Sequence, residues 1–93
     1  MLFRSYAAPT FTTVGVASAS ALAANSSRRY AILTNTSNDD IYLGIGAAAV
    51  VGSGIFLASK GGSYEITSEN LTTQVINAIA TGAGANLAIH EAT

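Results

Sequence analysis

The chain has 93 residues, the length of one small domain. Only 10% of its residues are charged and its net charge is −1, which excludes the dense positive charge of a nucleic-acid-binding surface. The lack of cysteine excludes disulfides and thiolate metal sites, and no apolar run approaches the roughly 20 residues of a transmembrane helix. Because small free domains rely on surface charge for solubility, the low charge favours a surface covered by other copies of the chain or by a partner. The alternative is an ordinary domain coated with Ser, Thr and Asn.

Residues 1–25 are expected to form an N-terminal arm and a first strand, ahead of a β-sandwich domain in residues 26–93. The small residues up to Ala23 resemble the cleavage region of a secretory signal, but Pro9 and nearby threonines interrupt the apolar run that such a signal requires. We therefore expect a soluble, unprocessed protein. The stretch "TFTTVGV" has the pattern of a strand. The stretch "ASASALAAN" has no amphipathic stripe and is expected to be an extended or loop segment.

The rest of the chain is predicted to consist of short strands separated by turns. The middle stretch "RRYAILTNTSNDDIYLGIG" has the pattern of a β-hairpin, with its turn at "NTSND", because Asn and Asp favour turn conformations. Later strands are predicted at "GIFLAS", "SYEIT", "TTQVINAIA" and "LAIHE". This spacing predicts an all-β fold, an antiparallel β-sandwich or small barrel of about seven short strands. One short helix is possible near residues 47–51.

Alternation within the strands predicts which side chains face the core. In the second half of the hairpin, Ile41, Leu43 and Ile45 share one face. Tyr30 and Tyr64 are expected to point inward, and Glu65, next to Tyr64, toward solvent.

The stretch "GIGAAA", with Gly44 and Gly46, matches a dinucleotide-binding fingerprint, with Glu65 about twenty residues further on. That site needs a helix after the glycines, within a parallel sheet. Here "VVGSGIF" follows and would break a helix. We therefore expect these glycines to permit a bulge, a wide loop or a close approach of two backbones.

No other motif predicts chemistry. His90 is the sole histidine and has no nucleophile or orienting carboxylate in a recognisable pattern, and Glu91 beside it would point to the opposite face of a strand. Asp39 and Asp40 lack the ligand spacing of a calcium loop and fit an ordinary turn. The tyrosines are spread over different elements, which does not favour a glycan-binding platform. We expect no enzymatic activity, no cofactor and no metal.

Three stretches, "RRYAILTNTSNDDIYLGIG", "GSGIFLASKGGSYEI" and "QVINAIATGAGANLAIHE", together resemble small β-domain virion proteins of tailed bacteriophages. The resemblance covers residues 28–91. It implies a capsid decoration or cement protein on the exterior of the virion, made in the host bacterial cytoplasm, that bridges subunits of the major capsid protein or binds another virion protein. It also implies a homo-oligomer, with a trimer favoured. From the charge and the lack of a long apolar run, we expect no nucleic-acid or membrane partner. A neck or tail component, or a receptor- or glycan-binding knob, is the alternative.

The N-terminal arm is the predicted attachment device. Its large side chains cannot be buried without support, and an extended segment can bind by adding a strand to an exposed sheet edge. The alternative is that the arm is the first strand of the domain's own core. The predicted partner-contact residues are Leu2, Phe3, Arg4, Tyr6 and Phe11.

Overall fold

The computed structural model describes residues 4–93 and is all-β, as the sequence predicts. None of the residues described forms a helix, so no helix there could cross a membrane and the short helix near residues 47–51 is absent. The strands are β1 (Thr10–Val14), β2 (Ala19–Leu22), β3 (Tyr30–Asn35), β4 (Ile41–Ile45), β5 (Ile55–Leu57), β6 (Ser63–Ile66), β7 (Ile76–Ala80) and β8 (Ala85–Ala92).

The eight strands form two four-stranded antiparallel sheets packed as a sandwich. Sheet A has the order β1-β8-β3-β6, and sheet B has the order β2-β7-β4-β5. This is the strand order of a jelly roll, in which two Greek keys are folded over one core. Only β4 and β5 are neighbours both in sequence and in a sheet. Every other strand pairing joins distant parts of the chain.

The predicted hairpin in the middle of the chain is therefore wrong. Its two strands, β3 and β4, lie in different sheets, and the turn between them crosses from sheet A to sheet B. The Asn35 side chain holds this turn: its Nδ2 donates to the carbonyl oxygens of Asp39 and Leu57, and its Oδ1 accepts from Ser37. The side chains of a strand that covers the core point alternately inward and outward, whether the next strand of the chain lies beside it or in the facing sheet. The sequence pattern therefore does not distinguish a hairpin from a crossing between the sheets.

The core lies between the sheets and is filled by the inward side chains of the strands. Ile41 and Leu43 are buried, Ile45 packs against them, and Tyr64 faces the core while Glu65 is exposed, as predicted. Tyr30 instead lies on the outer face of sheet A, because Ala31 and Leu33 take the inward positions of β3. The buried cluster consists of Val14, Ala31, Leu33, Ile41, Leu43, Leu57, Ile66, Ile76, Ala78, Ala80, Ala85, Leu87 and Ile89.

The N-terminal part of the chain supplies one edge strand to each sheet. β1 is the predicted first strand and pairs with β8. β2 pairs with β7 and is an eighth strand, where the sequence predicts an extended or loop segment. Residues Ser5 and Ala7 continue the pairing of β1 along β8: the two N–H groups donate to the carbonyl oxygens of Thr93 and Glu91. The two strands are thus part of the sandwich, whereas the sequence predicts residues 1–25 to be an arm and a first strand ahead of it.

Gly44 permits a close approach of two backbones, one of the expected roles of these glycines. A Cβ at this position would lie 2.7 Å from the carbonyl oxygen of Ala47 and 2.8 Å from that of Ala48. The loop after β4 therefore folds back over sheet B, where Asn77 Nδ2 donates to the Ala47 carbonyl and Ser18 Oγ accepts from the Ala49 N–H.

Candidate functional site

The predicted contact residues are found in different settings. Leu2 and Phe3 lie outside the described residues. Arg4 and Tyr6 pack onto the protein's own sheet A, and Tyr6 forms an isolated antiparallel bridge with Ala92. Phe11 is in β1, opposite Ala88 on the outer face of sheet A, and 71% of it is exposed. Among the described members of this set, Phe11 is the one most available to a partner.

Arg4 and Tyr6 belong to an aromatic cluster on the outer face of sheet A. The Tyr6 ring lies 5.9 Å from the Tyr30 ring, edge to face, and 5.0 Å from the His90 ring, between centroids. The Arg4 guanidinium lies over Tyr30 at 4.4 Å from its centroid, in cation–π geometry. His90 Nε2 is 3.0 Å from the Ala7 carbonyl oxygen, and since a carbonyl only accepts, Nε2 donates. His90 therefore fastens the N-terminal segment to β8, and the sequence showed no signal for this role.

Tyr30 is also bound to a carboxylate on the neighbouring strand. Its hydroxyl donates to Glu65 Oε2 at 2.6 Å. This hydrogen bond raises the pKa of Tyr30 above its ordinary value of 10.0, and desolvation by burial acts in the same direction. The phenol is therefore neutral at physiological pH and serves as a donor within the cluster.

Arg28 is the most deeply buried charged side chain among the described residues, with 1% of it exposed. Its Nε donates to Glu91 Oε2 at 2.7 Å, its Nη1 donates to the carbonyl oxygens of Thr72 and Gln74, and its Nη2 donates to that of Ala23. These bonds join the β2–β3 loop, the β6–β7 loop and β8. The sequence carries no signal for this role, because two adjacent arginines in a polar stretch have the pattern of exposed charge.

The same two loops border an open groove at one end of the sandwich, which we call the end groove. Its volume is about 1020 Å³, and Arg4, Arg29, Tyr6 and Leu71 lie among the residues that line it. The hydroxyl-bearing residues that line it are Ser26, Ser27, Ser68, Thr73 and Thr93. No Asp or Glu side chain of the described residues lines the groove. It can therefore present positive charge, hydroxyl groups and apolar surface to a ligand.

The outer side of sheet B has the opposite character. None of its four strands includes an Asp, Glu, Lys, Arg or His residue. Tyr42 pairs with Phe56 on one side and with Ile79 on the other, and the Tyr42 and Phe56 ring centroids are 5.2 Å apart. Phe56 is 51% exposed. We call this row of Phe56, Tyr42 and Ile79 the uncharged face.

Gly46, Asp39 and Asp40, which the sequence offered as candidates for nucleotide or calcium binding, have structural roles in the part of the chain that the structure describes. Gly46, with a φ of 69°, begins a loop, and no helix follows it. Asp40 Oδ1 accepts from the Ser59 N–H, and a Cβ on Gly82 would lie 2.6 Å from Asp39 Oδ1. Residues 4–93 contain no group of three or more His, Cys, Asp or Glu side chains that could hold a metal ion.

Comparisons of this chain with protein-family models, with curated proteins and with solved structures found no match.

Proposed function

We propose that this chain is a non-enzymatic structural protein of a tailed-phage virion, and specifically a capsid decoration protein that oligomerises and bridges subunits of the capsid. The uncharged face is the observation that carries the proposal. A row of exposed Phe56 and half-buried Tyr42 and Ile79, on a sheet whose strands have no charged residues, is a surface that contact with another molecule would cover. Contact between copies would cover it.

The attachment surface proposed here is the N-terminal edge of sheet A. Phe11 projects from β1 with most of its surface exposed, and Tyr6 is 51% exposed on the same edge. β1 also has backbone hydrogen-bonding groups on the side away from β8, to which a strand of another protein could pair. The jelly-roll architecture, which occurs in capsid proteins as well as in lectins, supports the proposal by analogy only.

The test uses particles of the phage whose genome carries the gene, assembled without this protein. Purified protein should bind these particles, and Phe11→Lys should weaken binding about tenfold or more, because a buried Phe contributes about 1.5–3 kcal/mol. Ser63→Lys is the matched control, since Ser63 is exposed on β6, the edge strand of sheet A opposite β1. Particles that do not bind the wild-type chain, or equal losses for the two variants, would contradict the proposal.

A binding module, such as a receptor- or glycan-binding knob, is the second candidate function. The end groove and the aromatic cluster beside it favour this candidate, because a saccharide site needs a shallow depression with aromatic and polar side chains. Immunogold labelling of intact particles separates the two functions: labelled heads support decoration, and labelled tail tips support the knob.

A further inference from the structure

The end groove has walls of fixed geometry. Most of the residues that line it come from the loops between β2 and β3 and between β6 and β7. The buried Arg28 guanidinium ties these loops together through the carbonyl oxygens of Ala23, Thr72 and Gln74. Burying a guanidinium is costly unless its donors are satisfied, and here it makes four hydrogen bonds. Because these loops are already held in place, less conformational entropy is lost when a ligand binds between them.

The charge in the groove comes from two other arginines. Arg29 is exposed, and its backbone N–H, which donates to the Ala92 carbonyl, fixes the residue at the groove wall. Arg4 lies over Tyr30, and a guanidinium that packs on a ring keeps its N–H edge available to a carboxylate. The single ion pair found in residues 4–93 joins Arg28 to Glu91, so neither of these two side chains is within ion-pair distance of an acidic side chain.

The other residues that line the groove carry hydroxyl groups or apolar side chains, which would contact the parts of a ligand next to its anionic group. The hydroxyls of Ser26, Ser27, Ser68 and Thr73 can donate and accept, as sugar hydroxyls also do. Tyr6 and Leu71, each about half exposed, provide apolar surface for the C–H face of a sugar ring. A groove of about 1020 Å³ is at the upper end of ordinary ligand sites and accommodates several linked units rather than one.

We propose that the end groove binds an acidic oligosaccharide, with a sugar carboxylate held between Arg4 and Arg29 and the neighbouring sugar hydroxyls bound by the loop hydroxyls. This inference deepens the second candidate function, the binding module. It does not depend on the uncharged face, which shares no residue with the groove.

The test is calorimetric titration of the full chain with short oligogalacturonates and with the same oligosaccharides after reduction of their carboxyl groups to alcohols. The acidic form should bind and the reduced form should bind at least about tenfold more weakly, because it lacks the charge-assisted hydrogen bonds. Arg29→Gln and Arg4→Gln should each reduce affinity by about tenfold. In ¹H–¹⁵N spectra, the amide shifts should change at residues 26–29 and 67–73.

Lys60→Asn is the matched control, since it removes a positive charge from the opposite end of the sandwich. Lys60 has a φ of 59°, a conformation that Asn tolerates, and this variant should bind as the wild type does. An equal loss for Lys60→Asn, equal binding of the reduced sugar, tighter binding of a Glu-rich peptide, or no binding of acidic sugars would each overturn the inference. Binding of acidic sugars by a protein that is absent from virions would preserve the inference and contradict the virion role.

Discussion

Arg28 connects the surface loops to the sandwich through a single side chain. A charge that is buried with its partner adds little net stability, but removing one partner is costly because the other groups lose their hydrogen bonds. Glu91, with 18% of its side chain exposed, and three loop carbonyls would be left without this donor. The adjacent Arg29 has no such contacts in the described structure and provides a natural comparison.

Arg28→Met should reduce the free energy of unfolding by about 3–5 kcal/mol, the usual cost of breaking a buried ion pair. Arg29→Met should change it by less than about 0.5 kcal/mol, as expected of an exposed position. Urea unfolding followed by circular dichroism measures both values. Similar losses for the two variants would show that the Arg28 network does not stabilise the fold.

Among the elements, the segment that precedes β1 is the one on which the attachment hypothesis depends. The N-terminal segment up to Pro9 adds hydrogen bonds and an aromatic contact to the end of β8, but the buried cluster begins only at Val14. Its three backbone hydrogen bonds to β8 and Thr93 contribute about 0.5–1.5 kcal/mol each, and ordering the segment opposes this gain. The segment therefore packs against a sandwich whose buried core does not include any of its described side chains.

Deletion of residues 1–9 should leave a protein that unfolds cooperatively and is less stable by about 1–2 kcal/mol. Particle binding should be lost if this segment is the attachment device. Deletion of residues 1–3 alone separates the two contributions, because it removes the predicted contact residues Leu2 and Phe3 and keeps the segment that pairs with β8. A protein that cannot fold without residues 1–9 would place the segment in the core and contradict the attachment hypothesis.

At the scale of the whole molecule, charge is divided unevenly between the two sheets. Sheet A and the loops hold all the charged side chains of the described residues, while the strands of sheet B hold none. The loop after β4 is also uncharged and exposes Val50 and Val51. Self-association through sheet B would cover apolar surface without burying an unpaired charge.

Sedimentation at micromolar concentration should show a homo-oligomer, with a trimer expected. Phe56→Lys should shift it to monomer, because a lysine on the uncharged face would have to be desolvated in the contact. Thr13→Lys, which places the same charge on the edge strand of sheet A, should leave the oligomer intact. A wild-type chain that stays monomeric both in solution and on particles would exclude this arrangement.

The all-β class, most strand positions and the inward faces of β4 and β6 could be predicted from the sequence, because alternation and turn residues are local properties. The choice of partner strands could not. β3 and β4 have the pattern of a hairpin and yet lie in different sheets, since the inward faces of the two sheets carry the same kind of side chains. The short β2, of which only Ala21 and Leu22 pack against the core, is recognised as a strand only because β7 provides its partner.

The sequence by itself determined that charged residues are scarce and that no catalytic or metal-binding motif stands out. Only the tertiary structure decided where the few charges lie. It buries Arg28 among three carbonyls, places Arg4 over Tyr30, and gathers Arg4 and Arg29 at one groove from positions far apart in the chain. Such contacts depend on which strands become neighbours in the jelly roll, and strand pairing over long sequence separations is not specified by any local pattern.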